Sequence, residues 1–61
     1  LIEALYAHFH DNPTHMPQAY LYIMWEEGVD RAVTDYISGM SDEYAVRTFE
    51  ELFVPQKWGV L

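Results

Sequence analysis

Residues 29–53, VDRAVTDYISGMSDEYAVRTFEELF, decide the fold, because they hold two helical patterns separated by a short break. Before the break, apolar side chains recur at the spacing i, i+4, i+7, i+8 and i+11. These residues are Val29, Val33, Tyr36, Ile37 and Met40. After the break, the inward positions are Ala45, Phe49, Leu52 and Phe53. The stretch therefore predicts a helix over about 29–40 and another over about 42–53.

The break itself contains signals for a helix end and a helix start. Gly39 is either a point without a Cβ, where another helix can approach, or a helix terminus, and we favour the terminus. Ser41 is typical of an N-cap, since its hydroxyl can accept a hydrogen bond from a free amide. Asp42 and Glu43 then place negative charge at the positive end of the next helix dipole.

Two further helices are predicted on the N-terminal side of this stretch. Leu1 to about His10 carries Ile2, Leu5, Tyr6 and Phe9 at helical spacing, and Asn12-Pro13 ends that pattern. The pattern from about His15 to Glu27 has one apolar face, formed by Met16, Ala19, Tyr20, Ile23 and Met24. It accepts Pro17 in its first turn and ends at Gly28. Leu21, Tyr22 and Trp25 make its other side apolar too. We expect this helix to be covered on most sides; a buried strand is the alternative.

The fold class predicted from these patterns is all-α: one region, residues 1–61, forming a small bundle of four short helices. A chain of 61 residues has a thin core, so a partner would add needed stability. The absence of cysteine excludes disulfides and thiolate zinc sites. The chain starts at Leu1 inside a helical pattern, so we expect a fragment of a longer protein. The apolar tail, residues 56–61, is expected to dock.

Charge excludes several classes of partner. Three Lys and Arg against ten Asp and Glu give a net charge of −7, which repels nucleic acid and anionic membrane surfaces. No apolar run reaches the roughly 20 residues of a spanning helix. The strongest apolar run, residues 19–25, is internal and lacks the features of a signal peptide. We therefore expect no membrane or nucleic-acid partner and a cytoplasmic location.

Two groups of polar residues invite a catalytic or metal-binding interpretation, which we set aside. His8 and His10 point about 200° apart on a helix, and His15 would join His8 and Asp11 only if the helix continued through Pro13. A bent turn could still gather three ligands. The pairs Glu26-Glu27 and Glu50-Glu51 are more typical of solvated faces than of a general acid and base. We predict no catalytic, cofactor-binding or metal-binding residue in this chain.

The aromatic side chains have two interpretations as well. They could form a base-stacking or ligand-binding surface, or they could pack in the core, which we favour. The residues concerned are Tyr6, Tyr20, Tyr22, Trp25, Tyr36 and Tyr44.

Residues 33–45, VTDYISGMSDEYA, resemble the signature Asp-Tyr-Ile-Ala-Gly-Met-Thr-Asp-x-Tyr-Ala near the C-terminus of bacterial dGTPase-like proteins, which are HD-superfamily deoxynucleoside triphosphate triphosphohydrolases. The positions that match are Asp35, Tyr36, Ile37, Gly39, Met40, Asp42, Tyr44 and Ala45. Ser38 replaces Ala and Ser41 replaces Thr, and both exchanges keep a small residue. The similarity covers about Val29 to Phe53 and matches the phosphohydrolase-associated region, a helical appendage that follows the HD domain.

The resemblance implies a role for the chain and an activity for its parent. The parent would convert a dNTP and water into a deoxynucleoside and triphosphate, using a divalent metal bound upstream by His, His-Asp and Asp ligands. The His10-Asp11 dipeptide is not their equivalent. This segment would be a non-catalytic C-terminal accessory region. We expect it to contact the HD domain or another subunit of a homo-oligomer through the apolar sides of the second helix and the apolar stripe of the third. Asp35, Asp42 and Tyr44 could approach the nucleotide or could simply pack.

A free-standing acidic helical module that binds an amphipathic partner is the alternative function.

Overall fold

The computed structural model describes residues 1–54, and their secondary structure is entirely helical. Helix α1 spans Ile2–Asp11, a 3-10 turn spans Pro13–His15, and helix α2 spans Gln18–Glu27. Helix α3 spans Val29–Ser38 and helix α4 spans Asp42–Phe53. This order confirms the all-α class and the four predicted helices. The predicted docking of residues 56–61 lies outside the described residues.

Helix α2 begins later than the predicted start near His15, and two prolines explain the difference. Pro13 opens the 3-10 turn, which ends at His15. Met16 is extended, with φ −79° and ψ 156°, because the ring of Pro17 disfavours a helical conformation in the residue before it. Pro17 is therefore the N-cap of α2 and not part of its first turn. The alternative of a buried strand here is wrong.

Gly28 and the residues 39–41 form the two other corners. Gly28 is both the C-cap of α2 and the N-cap of α3. Its φ of +96° is a backbone conformation that glycine adopts readily because it has no Cβ. Helix α3 ends at Ser38, two residues before the predicted end at Met40. Gly39 is its C-cap, which confirms the prediction that this glycine is a helix terminus. Ser41 Oγ accepts a hydrogen bond from the Tyr44 amide at 3.1 Å, which confirms the predicted N-cap.

Helix α3 lies at the centre of the packing, because it contacts both α1 and α2. The buried core consists of Leu5, Phe9, Met16, Ala32, Val33, Ile37 and Ala45. Aromatic rings extend it: Phe9 meets Tyr36 edge-on at a centroid distance of 5.1 Å, and Tyr20 lies 4.9 Å from Tyr36. Helix α2 buries none of its residues completely, although Tyr20, Ile23 and Met24 pack against the core.

No helix within residues 1–54 is long and apolar enough to cross a membrane.

Candidate functional site

The outer side of α2 carries an apolar surface that the described chain leaves uncovered. Gln18, Leu21, Tyr22 and Trp25 follow the spacing i, i+3, i+4, i+7, so their side chains lie along one stripe of the helix. We call these four residues the α2 outer face. Trp25 is 80% exposed and Tyr22 is 60% exposed. They line an open cavity of about 200 Å³.

The corner at Gly28 determines which side of α2 is covered. It turns the chain so that α3 packs on the side of Tyr20, Ile23 and Met24, and the opposite side receives nothing from residues 1–54. Single exposed apolar side chains are common on protein surfaces, but neighbouring large rings that are both exposed are typical of a contact surface. The all-round apolar pattern predicts that α2 needs cover on most sides, and the described chain supplies that cover on one side.

A second concave region is lined in part by residues of the signature. Tyr20, Tyr36 and Tyr44 line an open groove of about 430 Å³ near the break between α3 and α4, together with Pro17, Gly39, Met40 and Ser41. The hydroxyls of Tyr36 and Tyr44 lie 3.3 Å apart. Burial raises the pKa of the Tyr36 phenol above its usual range, and the hydrogen bond with Tyr44 adds to the rise. Tyr36 is therefore neutral at physiological pH and acts as a packing and hydrogen-bonding group.

The acidic residues of the signature have local partners. Both carboxylate oxygens of Asp35 lie 3.2 Å from Arg31 Nε, one helical turn away. Asp42 lies in the first turn of α4, where a negative charge is stabilised by the helix dipole. These contacts account for Asp35, Asp42 and the Tyr44 hydroxyl without a ligand. The four residues Glu26, Glu27, Glu50 and Glu51 are exposed, as expected for solvated faces.

The histidines are arranged differently from the sequence-based interpretation. Helix α1 stops before Pro13, and the 3-10 turn places His15 Nδ1 3.0 Å from His8 Nε2, so these two histidines meet through a bent turn and not along a continuous helix. Asp11 does not join them: its Oδ1 lies 3.7 Å from His10 Nδ1. Within residues 1–54, no three His, Asp or Glu side chains are placed to hold a metal ion together.

Asp30 makes a contact that the sequence analysis missed. Its Oδ1 accepts a hydrogen bond from the Tyr6 hydroxyl at 3.0 Å and lies 3.2 Å from His10 Nε2. The hydrogen bond to Asp30 raises the pKa of Tyr6. Asp30 thus joins the first turn of α3 to α1. The sequence shows that Asp30 lies off the apolar stripe of α3 and is therefore polar-facing. Its partners Tyr6 and His10 are 24 and 20 residues away, so only the tertiary fold brings them to Asp30.

The fold and these surfaces define a class: an all-α helical module with one uncovered apolar helix face and a tyrosine-lined corner. Residues 1–51 match the family described as the phosphohydrolase-associated domain. The chain belongs to that family.

Curated relatives carry one shared name. The chain is 40% identical over 58 residues to a deoxyguanosinetriphosphate triphosphohydrolase-like protein of Caldanaerobacter subterraneus, a match that covers 95% of the chain and 17% of the relative. A protein of the same name from Clostridium perfringens is 38% identical, and the match covers 92% of the chain and 16% of that relative. Another from Nitrosomonas europaea is 40% identical, with 85% of the chain and 14% of that relative covered. The chain thus spans about one sixth of the length of the first two relatives. No solved structure is significantly similar to it.

Proposed function

We propose that this chain is the C-terminal accessory region of a dGTPase-like triphosphohydrolase and that it attaches to the rest of that protein through the α2 outer face. The exposed Trp25 and Tyr22 carry this proposal. Covering an apolar surface contributes about 25 cal/mol per Å² removed from water, so two large rings supply a useful docking energy. The family and the names of the relatives support the kind of parent protein.

The α2 outer face is the more specific choice of the two surfaces considered from sequence. The apolar stripe of α3 is the other predicted docking surface, but its residues Val33 and Ile37 are buried against the chain's own helices. They are therefore occupied within the segment. We propose that the partner surface belongs to the HD domain or to a neighbouring subunit of a cytoplasmic homo-oligomer.

The catalytic chemistry is assigned to the remainder of the parent. There, a dNTP and water would give a deoxynucleoside and triphosphate, with a divalent metal held by the HD domain. The pairing of Asp35 with Arg31 supports a non-catalytic role for that carboxylate.

The test uses the full-length protein that contains this chain. Trp25→Ser removes the most exposed ring of the α2 outer face, and Val46→Ser is the matched control, since Val46 is 45% exposed on α4 among charged residues. We expect Trp25→Ser to lower the thermal midpoint and the rate of triphosphate release from dGTP, and Val46→Ser to leave both near wild type. Asp42→Asn should leave kcat near wild type and change only stability, because that carboxylate interacts with the dipole of α4, which is worth about 0.3–1 kcal/mol.

Two results would contradict the proposal. If Trp25→Ser changes neither stability nor activity, the α2 outer face does not attach the segment, and a free-standing interaction module becomes the better explanation. If Asp42→Asn lowers kcat strongly while the thermal midpoint stays constant, the segment takes part in catalysis.

A further inference from the structure

The contact between His8 and His15 joins two imidazole nitrogens across the end of α1. His8 Nε2 and His15 Nδ1 lie 3.0 Å apart, and the ring centroids are 5.1 Å apart with planes inclined by 39°. His15 is exposed and His8 is half-buried, so the nitrogens are accessible from solvent. We call these two residues the histidine pair.

The backbone holds both members of the histidine pair in position. The carbonyl oxygen of His8 accepts hydrogen bonds from the Asn12 amide at 2.9 Å and from Asn12 Nδ2 at 3.0 Å. The His15 amide donates to the Asn12 carbonyl at 3.0 Å, and the buried Met16 follows directly and anchors the turn in the core. The His8 ring also packs edge-on against Phe9 and Phe53, at centroid distances of 5.1 and 5.9 Å. The approach of the two rings is therefore largely fixed before any ligand binds.

The separation of the two nitrogens suits a shared transition metal. With a Zn–N bond of about 2.05 Å, two tetrahedral ligand nitrogens lie about 3.3 Å apart. Adjacent ligands of a square-planar or octahedral ion lie about 2.9 Å apart. The observed 3.0 Å falls between these values, so the two nitrogens already lie at a separation that a shared metal ion requires, and only the ring directions have to adjust for both lone pairs to face it.

We propose that His8 Nε2 and His15 Nδ1 form a two-histidine chelating site for a divalent transition-metal cation such as Zn²⁺ or Ni²⁺, with water completing the coordination. Both rings bind as neutral imidazoles, and the proton that bridges them moves to a nitrogen that faces away from the metal. This inference departs from the sequence-based expectation of no metal ligand in the chain and is independent of the proposed function.

The chemistry of the site predicts which cations bind. Imidazole suits Zn²⁺, Ni²⁺ and Cu²⁺, whereas Mg²⁺ and Ca²⁺ prefer oxygen ligands. The net charge of −7 attracts any cation to the chain, so charge alone would not distinguish Zn²⁺ from Mg²⁺. A preference for Ni²⁺ and Zn²⁺ over Mg²⁺ therefore reports the histidine pair.

The test titrates the 61-residue chain with NiCl₂, ZnCl₂ and MgCl₂, using calorimetry for affinity and the imidazole NMR signals for location. The variants are His8→Gln and His15→Gln, and His10→Gln is the matched control, because His10 pairs with Asp30 outside the site. We expect saturable binding of Ni²⁺ and Zn²⁺, with only the His8 and His15 signals shifting. Losing either ligand should weaken binding about tenfold or more, since the chelate advantage is lost.

Each other outcome counts against the site. Absence of Ni²⁺ and Zn²⁺ binding overturns the proposal, as does equal binding of Mg²⁺. If His10→Gln weakens binding as much as His8→Gln, the ligands belong to an unstructured set of histidines and not to the pair. The imidazole signals locate the bound ion, and the circular dichroism of each variant shows whether it keeps the helices on which the histidine pair depends.

Discussion

Ser41 is a single residue whose local chemistry can be isolated. Its Oγ accepts the Tyr44 amide at 3.1 Å, so Ser41→Ala leaves a free donor at the start of α4 and should lower the free energy of unfolding by about 1 kcal/mol. Ser41→Thr keeps the hydroxyl and most of the stability. Denaturation followed by circular dichroism measures both.

The matched control for this prediction is Ser38→Ala, also an exposed serine. Its Oγ donates to the Asp35 carbonyl at 3.4 Å, near the end of α3, where the carbonyl already accepts the Gly39 amide. We expect a change within about 0.5 kcal/mol. Equal losses for Ser38→Ala and Ser41→Ala would show that the cap does not stabilise α4.

Tyr36 links stability to alkaline pH. Its pKa is raised above the ordinary 10.0, first by burial and then by the Tyr44 hydroxyl. Above about pH 10 the unfolded phenol ionises while the folded one keeps its proton, so the folded state binds more protons and stability falls as pH rises. The contribution of Tyr36 is fully present below that pH.

The corresponding measurement compares thermal midpoints from about pH 8 to about pH 12. Tyr36→Phe should show a shallower alkaline decline than wild type, because it removes one titrating group. Tyr22→Phe alters a phenol that is 60% exposed and should retain the wild-type slope. Identical slopes for all three proteins would contradict the assigned burial effect.

At the scale of elements, local signals in the sequence located most helix boundaries. Gly28, Ser41 and the Asn12-Pro13 pair act through their own backbone or nearest neighbours, so their effects can be predicted without the fold. The 3-10 turn was not predicted, because Pro13 was interpreted only as a helix stop and Pro17, which follows the turn, as a tolerated residue in the first turn of α2. The histidine pair depends on that turn, so the same error concealed its geometry.

The uncovered side of α2 shows a different limit. Leu21, Tyr22 and Trp25 were recognisable as apolar, and the sequence predicted cover on most sides of the helix. Which side stays open is determined by the direction in which α3 leaves Gly28, and neither residue type nor periodicity contains that direction. The long-range contact of Asp30 with α1 has the same cause.

The two interhelical glycines give a matched prediction for the corners. Gly28 has φ +96° and ψ 161°, and although a Cβ there meets nothing within 4 Å, Gly28→Ala strains the backbone and should cost about 1–3 kcal/mol. Gly39 has φ −86°, and its added Cβ would make ordinary contacts at 3.4 Å and 3.7 Å. Gly39→Ala should therefore be neutral or stabilising by about 0.4–1 kcal/mol.

Chemical denaturation of both alanine variants tests this difference. A loss at Gly39→Ala as large as that at Gly28→Ala would mean that the α3–α4 corner needs glycine for a reason other than its backbone angles.

For the whole molecule, the uncovered rings predict how the 61-residue chain behaves by itself in solution. A 61-residue chain has little core to spare, and Trp25 and Tyr22 lie outside that core. We expect the isolated chain to be helical by circular dichroism and to raise the fluorescence of a hydrophobic dye. The double variant Tyr22→Ser with Trp25→Ser should bind less dye at equal helix content, because it removes the α2 outer face while leaving the buried residues intact. Val46→Ser should bind as much dye as wild type, since Val46 is bordered by charged side chains. A cooperatively folded chain that binds no dye would favour the free-standing module, because an attached segment should expose its docking face once it is separated from its partner.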